Sequence, residues 1–190
     1  MHLPSLDQIR AASDELNQLY ERLSASVEER GQLWTDLCNE FHRRYDQLSF
    51  PGGAASLSKV RERDPVSVEL AVRFLLADPY HFRSGYTKQY LWRWLVRIPL
   101  SRHQRGMLEQ AALKYIDRKV SREFWNMAKA MHKIARPGFW LEVGSRVDSA
   151  DQCKHRRALL FLLFGANIHA GAKARCNIHR GWLKQNFGGS

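Results

Sequence analysis

The chain has 190 residues, 44% of them hydrophobic and 11% aromatic, which is enough apolar mass for a folded domain and too much for a disordered segment. It carries thirty Lys and Arg against nineteen Asp and Glu, a formal charge of +11, so the chain as a whole is set to seek anionic partners. The longest apolar run, Ala158 to Phe164, is far below the about 20 residues that a membrane helix takes.

The first residues, MHLPSLDQIRAASDE, place charges where an export signal needs an apolar core. Three widely spaced cysteines, Cys38, Cys153 and Cys176, form no disulfide framework. The expectation is a soluble, cytoplasmic protein with no membrane association. The charge is also unevenly spread. Residues 1–57 hold nine acidic side chains against five Arg, a net of −4, whereas everything from Ser58 onward sums to +15.

Leu6 to Leu48 carries a heptad pattern. Leu6, Ser13, Tyr20, Val27, Trp34, Phe41 and Leu48 form one series; Ile9, Leu16, Leu23, Arg30, Leu37 and Arg44 interleave with it, and ten of the thirteen positions are apolar. That predicts an acidic coiled-coil-like arm over residues 1–50, as one long helix or as a hairpin broken near Gly31. Ser5 with Gln8 reads as a capping box. Leu16, Tyr20, Leu23, Val27, Trp34, Leu37 and Phe41 are the expected contact surface for a second copy or another protein, with Arg30 and Arg44 opposing a simple self-dimer. Residues 51–58, with Pro51, Gly52 and Gly53, read as a linker.

A basic helical domain is expected over 59–165. Asp64-Pro65 opens a helix that Asp78-Pro79 ends. A second runs from Phe82 or Ser84 to Ile98, with Tyr86, Tyr90, Leu91, Trp94 and Leu95 expected inward and Trp92 outward. Ser101 caps a third and Ser121 a fourth. Arg136-Pro137-Gly138 breaks the fourth, a short helix from Phe139 to Arg146 follows, and Gln152 to Phe164 forms the last. Pro65, Pro99 and Pro137 punctuate the hairpins at intervals of thirty-four and thirty-eight residues. This spacing and the Asp-Pro openings resemble HEAT-like α-helical repeats over about residues 64–164. The resemblance implies an all-α stack of helical hairpins with a concave binding surface, and no chemistry. Residues 166–190 form a basic tail without acidic side chains.

Between Tyr80 and Arg136 the local charge is +10, with aromatics interleaved. Arg83, Lys88, Trp92, Arg93, Arg97, Arg102 and Arg105 are the residues expected to meet an acidic protein or nucleic acid. Cationic groups replace the counterions of phosphates, and exposed rings stack on bases. The turn around His81 and Arg83, just before a helix start at Ser84 or Gly85, has the makings of a phosphate site. Cys153, His155, Cys176 and His179 (with His169) have metal-ligand chemistry, but in spacings unusual for zinc and among cations that oppose one. No cofactor is expected.

Enzyme signatures are weak. Ser101 to Arg105 with Tyr115 has the residue types of a tyrosine recombinase without its spacing, and Glu62, Asp64 and Glu69 are better explained by a helix start than by a nuclease metal. The expected function is therefore a non-enzymatic helical adaptor or scaffold subunit. Its arm would hold a protein partner and its basic face an acidic one; the alternative is a nucleic-acid-binding module using the same basic residues.

Overall fold

The computed structural model describes residues 3–26, 31–118 and 121–165. Among these, every regular element is a helix: α1 (Leu6–Ala25), α2 (Gln32–Leu48), α3 (Gly53–Arg61), α4 (Pro65–Ala77), α5 (Ser84–Leu95), α6 (Arg102–Asp117), α7 (Phe124–Ile134), α8 (Pro137–Ser145) and α9 (Gln152–Gly165). None of them is long and apolar enough to cross a membrane. The chain divides into two compact units, residues 1–135 and residues 136–190.

The six heptads fold as two helices of 20 and 17 residues. α1 begins at the Ser5–Gln8 capping box, in which the Gln8 amide donates to Ser5 Oγ at 3.1 Å and the Ser5 amide to Gln8 Oε1 at 2.8 Å. The two helices run antiparallel, since Arg22 lies near Glu40 while Glu15, further back, pairs with Arg44. Arg44, out of place in an apolar seam, is thus neutralised across the hairpin. α1 also packs on α4, and Ile9, Ser13, Leu16 and Leu19 are its buried residues. Two hydrogen bonds fix it there: Arg10 Nε to the Ala77 carbonyl at 3.1 Å and Asn17 Nδ2 to the Tyr80 carbonyl at 2.7 Å. Of the expected arm surface, Leu16 and Phe41 are buried within the chain, and Leu23 and Leu37 are half-buried. Tyr20 and Trp34 are exposed, and Val27 lies outside the described residues.

The segment that composition marks as a linker, 51–58, is instead mostly helix α3. Its glycines make the turn and its small residues make the helix. Gly52 and Gly53 take left-handed backbone, with φ of 80° and 71°, and a Cβ on Gly53 would stand 2.8 Å from the Asp46 carbonyl oxygen. Beyond this reversal, Ala54, Ala55, Ser56 and Leu57 offer no barrier to helix.

α4 is the centre of the first unit and is buried on nearly every side, from Val68 through Ala77. Asp64 caps it, its Oδ2 accepting from the Ser67 amide at 2.8 Å, with Pro65 at the first helical position. That hydrogen bond holds the Asp64 carboxyl below its usual pKa. α1, α3 and α6 pack around α4, while α5 packs chiefly on α7. α6 opens with a second capping box, Ser101 with Gln104. α7 starts two residues later than Ser121 would set it, with Glu123 at the cap, and Glu123 takes part in a buried ionic cluster. In the second unit α8 and α9 pack on each other, with Phe139, Val143, Ala158 and Phe161 buried and the Phe139 and Phe161 rings 5.8 Å apart.

Candidate anion-binding surface

Helix α5 decides the surface, and its rotation differs from the one its apolar pattern predicts. Ser84, Thr87, Lys88, Leu91, Trp92 and Leu95 form the buried stripe, at helical spacing. Tyr86 and Tyr90, expected inward, are 44% and 45% exposed, whereas Trp92, expected outward, is fully buried. Lys88 is also buried, which removes it from the exposed face of α5. Its amine lies 2.6 Å from Asp78 Oδ1 and 3.7 Å from Glu123 Oε1. These carboxylates come from the end of α4 and the start of α7. A buried ammonium is tolerable only when paired in this way, and nothing in the sequence of α5 itself announces the partners.

The cluster around Lys88 is closed by Tyr115 and Arg118. Tyr115 Oη hydrogen-bonds to Glu123 Oε1 at 2.9 Å and lies 3.1 Å from Asp78 Oδ1; Arg118 Nη2 donates to the same two oxygens at 3.4 and 2.9 Å. The Arg118 guanidinium also lies 4.0 Å from the Tyr115 ring centre. Burial, reinforced by the negative charges of Glu123 and Asp78, pushes the Tyr115 phenol well above its usual pKa. This tyrosine is the one that the recombinase-like fragment would need as a nucleophile; here it sits neutral in the core.

The outer stripe of α5 follows from the same rotation: Arg83, Tyr86, Tyr90, Arg93 and Arg97 succeed one another at three- or four-residue steps and all are exposed. Near its C-terminal end a groove of about 520 Å³ is lined by Arg61, Arg63, Tyr90, Arg93, Trp94, Arg97 and Ile98. Tyr90 and Trp94 stack with ring centres 5.8 Å apart and planes 19° apart, and the Arg61 guanidinium lies 5.9 Å from the Trp94 ring centre. Among the described residues, no acidic side chain lines the groove. Among the described residues, none of its four arginines is paired with a carboxylate.

The structure therefore brings Arg93 and Arg97 together and adds two residues that the sequence reading passed over. Arg61 ends α3, and Arg63 occupies the turn into α4 with φ of 64°. A left-handed backbone at a non-glycine residue costs about 1 to 2 kcal/mol. The available signal was the run Lys59, Arg61 and Arg63, diluted by Glu62 and Asp64. Arg102 and Arg105 do not line the groove: both sit in the first turn of α6, where Arg105 Nε donates to the Leu100 carbonyl at 3.3 Å. Arg83 stands at the opposite end of α5.

Of the metal candidates, Cys153 and His155 lie among the described residues. Cys153 is exposed at the start of α9, its amide bonded to Asp151 Oδ1 at 2.8 Å, and His155 Nδ1 bonds the Val147 carbonyl. Among the described residues no three His, Cys, Asp or Glu side chains cluster as a metal site. His169, Cys176 and His179 lie outside the described residues. No protein-family model matches the chain, and neither a curated protein nor a solved structure is significantly similar to it.

Proposed function

We propose that this chain is a non-enzymatic cytoplasmic scaffold that binds single-stranded nucleic acid along the exposed stripe of α5. The observation that carries the proposal is the groove of Arg61, Arg63, Arg93 and Arg97 around the stacked Tyr90 and Trp94 rings. Unpaired guanidinium groups beside accessible aromatic faces match the alternation of phosphate and base in a single strand. An acidic protein segment would use the cations and leave the rings idle. The hairpins α4 with α5 and α6 with α7, in which α4 meets α6 and α5 meets α7, support a HEAT-like stacking that presents this surface.

The test is electrophoretic mobility of labelled single-stranded DNA and RNA at about 50 and 200 mM salt. Binding that falls steeply with salt, and that Arg93→Glu with Arg97→Glu abolishes, is expected. No shift at the lower salt would overturn the reading.

A second reading, an adaptor whose N-terminal hairpin holds a protein, is favoured by Leu33 and Trp34, which are 59% and 36% exposed near the tip of the hairpin. In that reading the same arginines receive an acidic protein. A protein pull-down that Leu33→Glu with Trp34→Glu abolishes, in the absence of any nucleic-acid shift, would put this reading first.

A further inference from the structure

At the N-terminal end of α5 lies a second concavity, a cleft of about 710 Å³. The first turns of α5 and α7 lie side by side in it. A Cβ on Gly85 would stand 3.3 Å from Glu123 Oε2 and 3.9 Å from Arg122 Cβ. Two adjacent helix N-termini add their partial positive charges, which favours an anion. Arg83 and Arg122 stand at the rim, exposed and unpaired with any carboxylate among the described residues, 5.1 Å from the Phe82 ring centre and 4.0 Å from that of Tyr86 respectively.

Deeper in, Glu123 is 2% exposed. Its Oε1 is engaged by Tyr115, Arg118 and Lys88, but Oε2 has no hydrogen-bond partner among the described residues. A buried acceptor left without a donor costs on the order of 1–3 kcal/mol, so the fold has a reason to receive one from a ligand. Lys88 and Arg118 already balance the charge of this carboxylate. A neutral N–H therefore suits Oε2 better than a further cation. The cleft walls supply flat apolar surface: the Tyr20 and Phe82 rings stack 5.5 Å apart with planes at 12°, and Tyr86 is 44% exposed.

We propose that this cleft binds a nucleotide. Its phosphate sits at the joined N-termini of α5 and α7 with Arg83 and Arg122, its base lies against Tyr86 and Phe82, and one ring or amino N–H of the base donates to Glu123 Oε2. The three demands of the site, for an anion, a flat ring and a neutral donor, are met together by a nucleoside monophosphate. An inorganic phosphate meets only the first and a nucleoside only the other two. The inference is independent of the arginine groove, because Gly85 and Arg93 are separated by eight residues of helix, about 12 Å.

Isothermal titration of the full chain with AMP, CMP, GMP and UMP tests it, with the matching nucleosides and inorganic phosphate as separate arms. At least one nucleotide is expected to bind more tightly than its nucleoside and than phosphate. Arg122→Glu and Arg83→Glu should each weaken that nucleotide about tenfold or more. Tyr86→Ala, at an exposed position, should weaken it without loss of fold, and Arg93→Glu with Arg97→Glu should leave it unchanged. The proposal is overturned if none of the nucleotides binds at millimolar concentration, if inorganic phosphate binds as well as they do, or if binding survives both Arg122→Glu and Tyr86→Ala. Loss of single-strand binding in the groove variant, with nucleotide binding retained, would separate the two sites.

Discussion

The two faces of α5 use the same kind of residue to opposite ends. On the inner face Lys88 is fully buried and its charge is met by Asp78 and Glu123, with Tyr115 and Arg118 completing the cluster. On the outer face Arg93 and Arg97 line a groove that holds no carboxylate among the described residues. A cation in the interior is tolerable only when its partners are in place, so the inner cluster is a structural commitment. A group of cations on the surface, held close together without counter-charges, raises the local potential and is relieved by an incoming anion. The aromatic residues divide the same way: Trp92 fills the core, and Tyr90 and Trp94 stack at the surface.

The sharpest way to break this comparison is through Lys88. Lys88→Ala strips one partner from a buried ionic cluster and should destabilise the fold by about 3–5 kcal/mol, read as a fall in the urea midpoint. Arg93→Ala, on the same helix, should change stability by no more than about 0.5 kcal/mol. Equal effects would mean that Lys88 does not face the interior. A second pair checks the same rotation with aromatics. Trp92→Ala removes a fully buried indole and should cost about 3–5 kcal/mol, while Trp94→Ala, at a half-buried position, should cost clearly less and weaken strand binding instead.

A smaller effect sharpens the outer face alone. Each of Arg61→Ala, Arg63→Ala, Arg93→Ala and Arg97→Ala should lower the slope of log affinity against log salt by about one if each arginine meets a phosphate. Arg102→Ala, outside the groove, should leave the slope unchanged. A uniform decrease across all five variants would mean that net charge, not the groove, drives binding.

What could be read from the sequence depended on how local the physics is. The caps at Ser5, Asp64 and Ser101 are set by side chains reaching amides three residues away, so the helix starts they mark are visible in the chain itself. The heptad series was legible as helix, but not that Arg44 would find Glu15 in a hairpin or that α1 would pack on α4 as well as on α2. The rotation of α5 was not legible. Two stripes compete on that helix, one with two tyrosines and one with a lysine, and the lysine stripe goes inward because Asp78 and Glu123 stand ten and thirty-five residues away in sequence. Arg61 and Arg63 were passed over because Glu62 and Asp64 dilute their charge along the chain, whereas the end of α3 and the turn into α4 bring both beside Arg93 and Arg97.

His81 offers the smallest test, and it probes the contact between the α1–α2 hairpin and the turn that leads into α5. It is 5% exposed, its ring packs against those of Tyr45 and Phe74, and its Nδ1 bonds the Phe82 carbonyl at 3.0 Å. Burial is the main cause that holds its pKa below the usual value; the contact with the Phe82 carbonyl works against that, and the charge of Lys88 adds to it. A histidine whose folded pKa is depressed is protonated more readily in the unfolded chain. Its contribution to stability is therefore intact above the unfolded value of about 6.5 and is lost as the pH falls from there toward the folded pKa. The urea midpoint should decline between about pH 7 and pH 5, above the range in which the carboxylates titrate, and His81→Asn should flatten that decline while lowering the plateau above pH 7. A wild-type midpoint that stays level across this interval would show that the ring is reached by water. The hairpin would then lie less tightly against Phe74 and the start of α5 than the packing of Tyr45 on His81 describes.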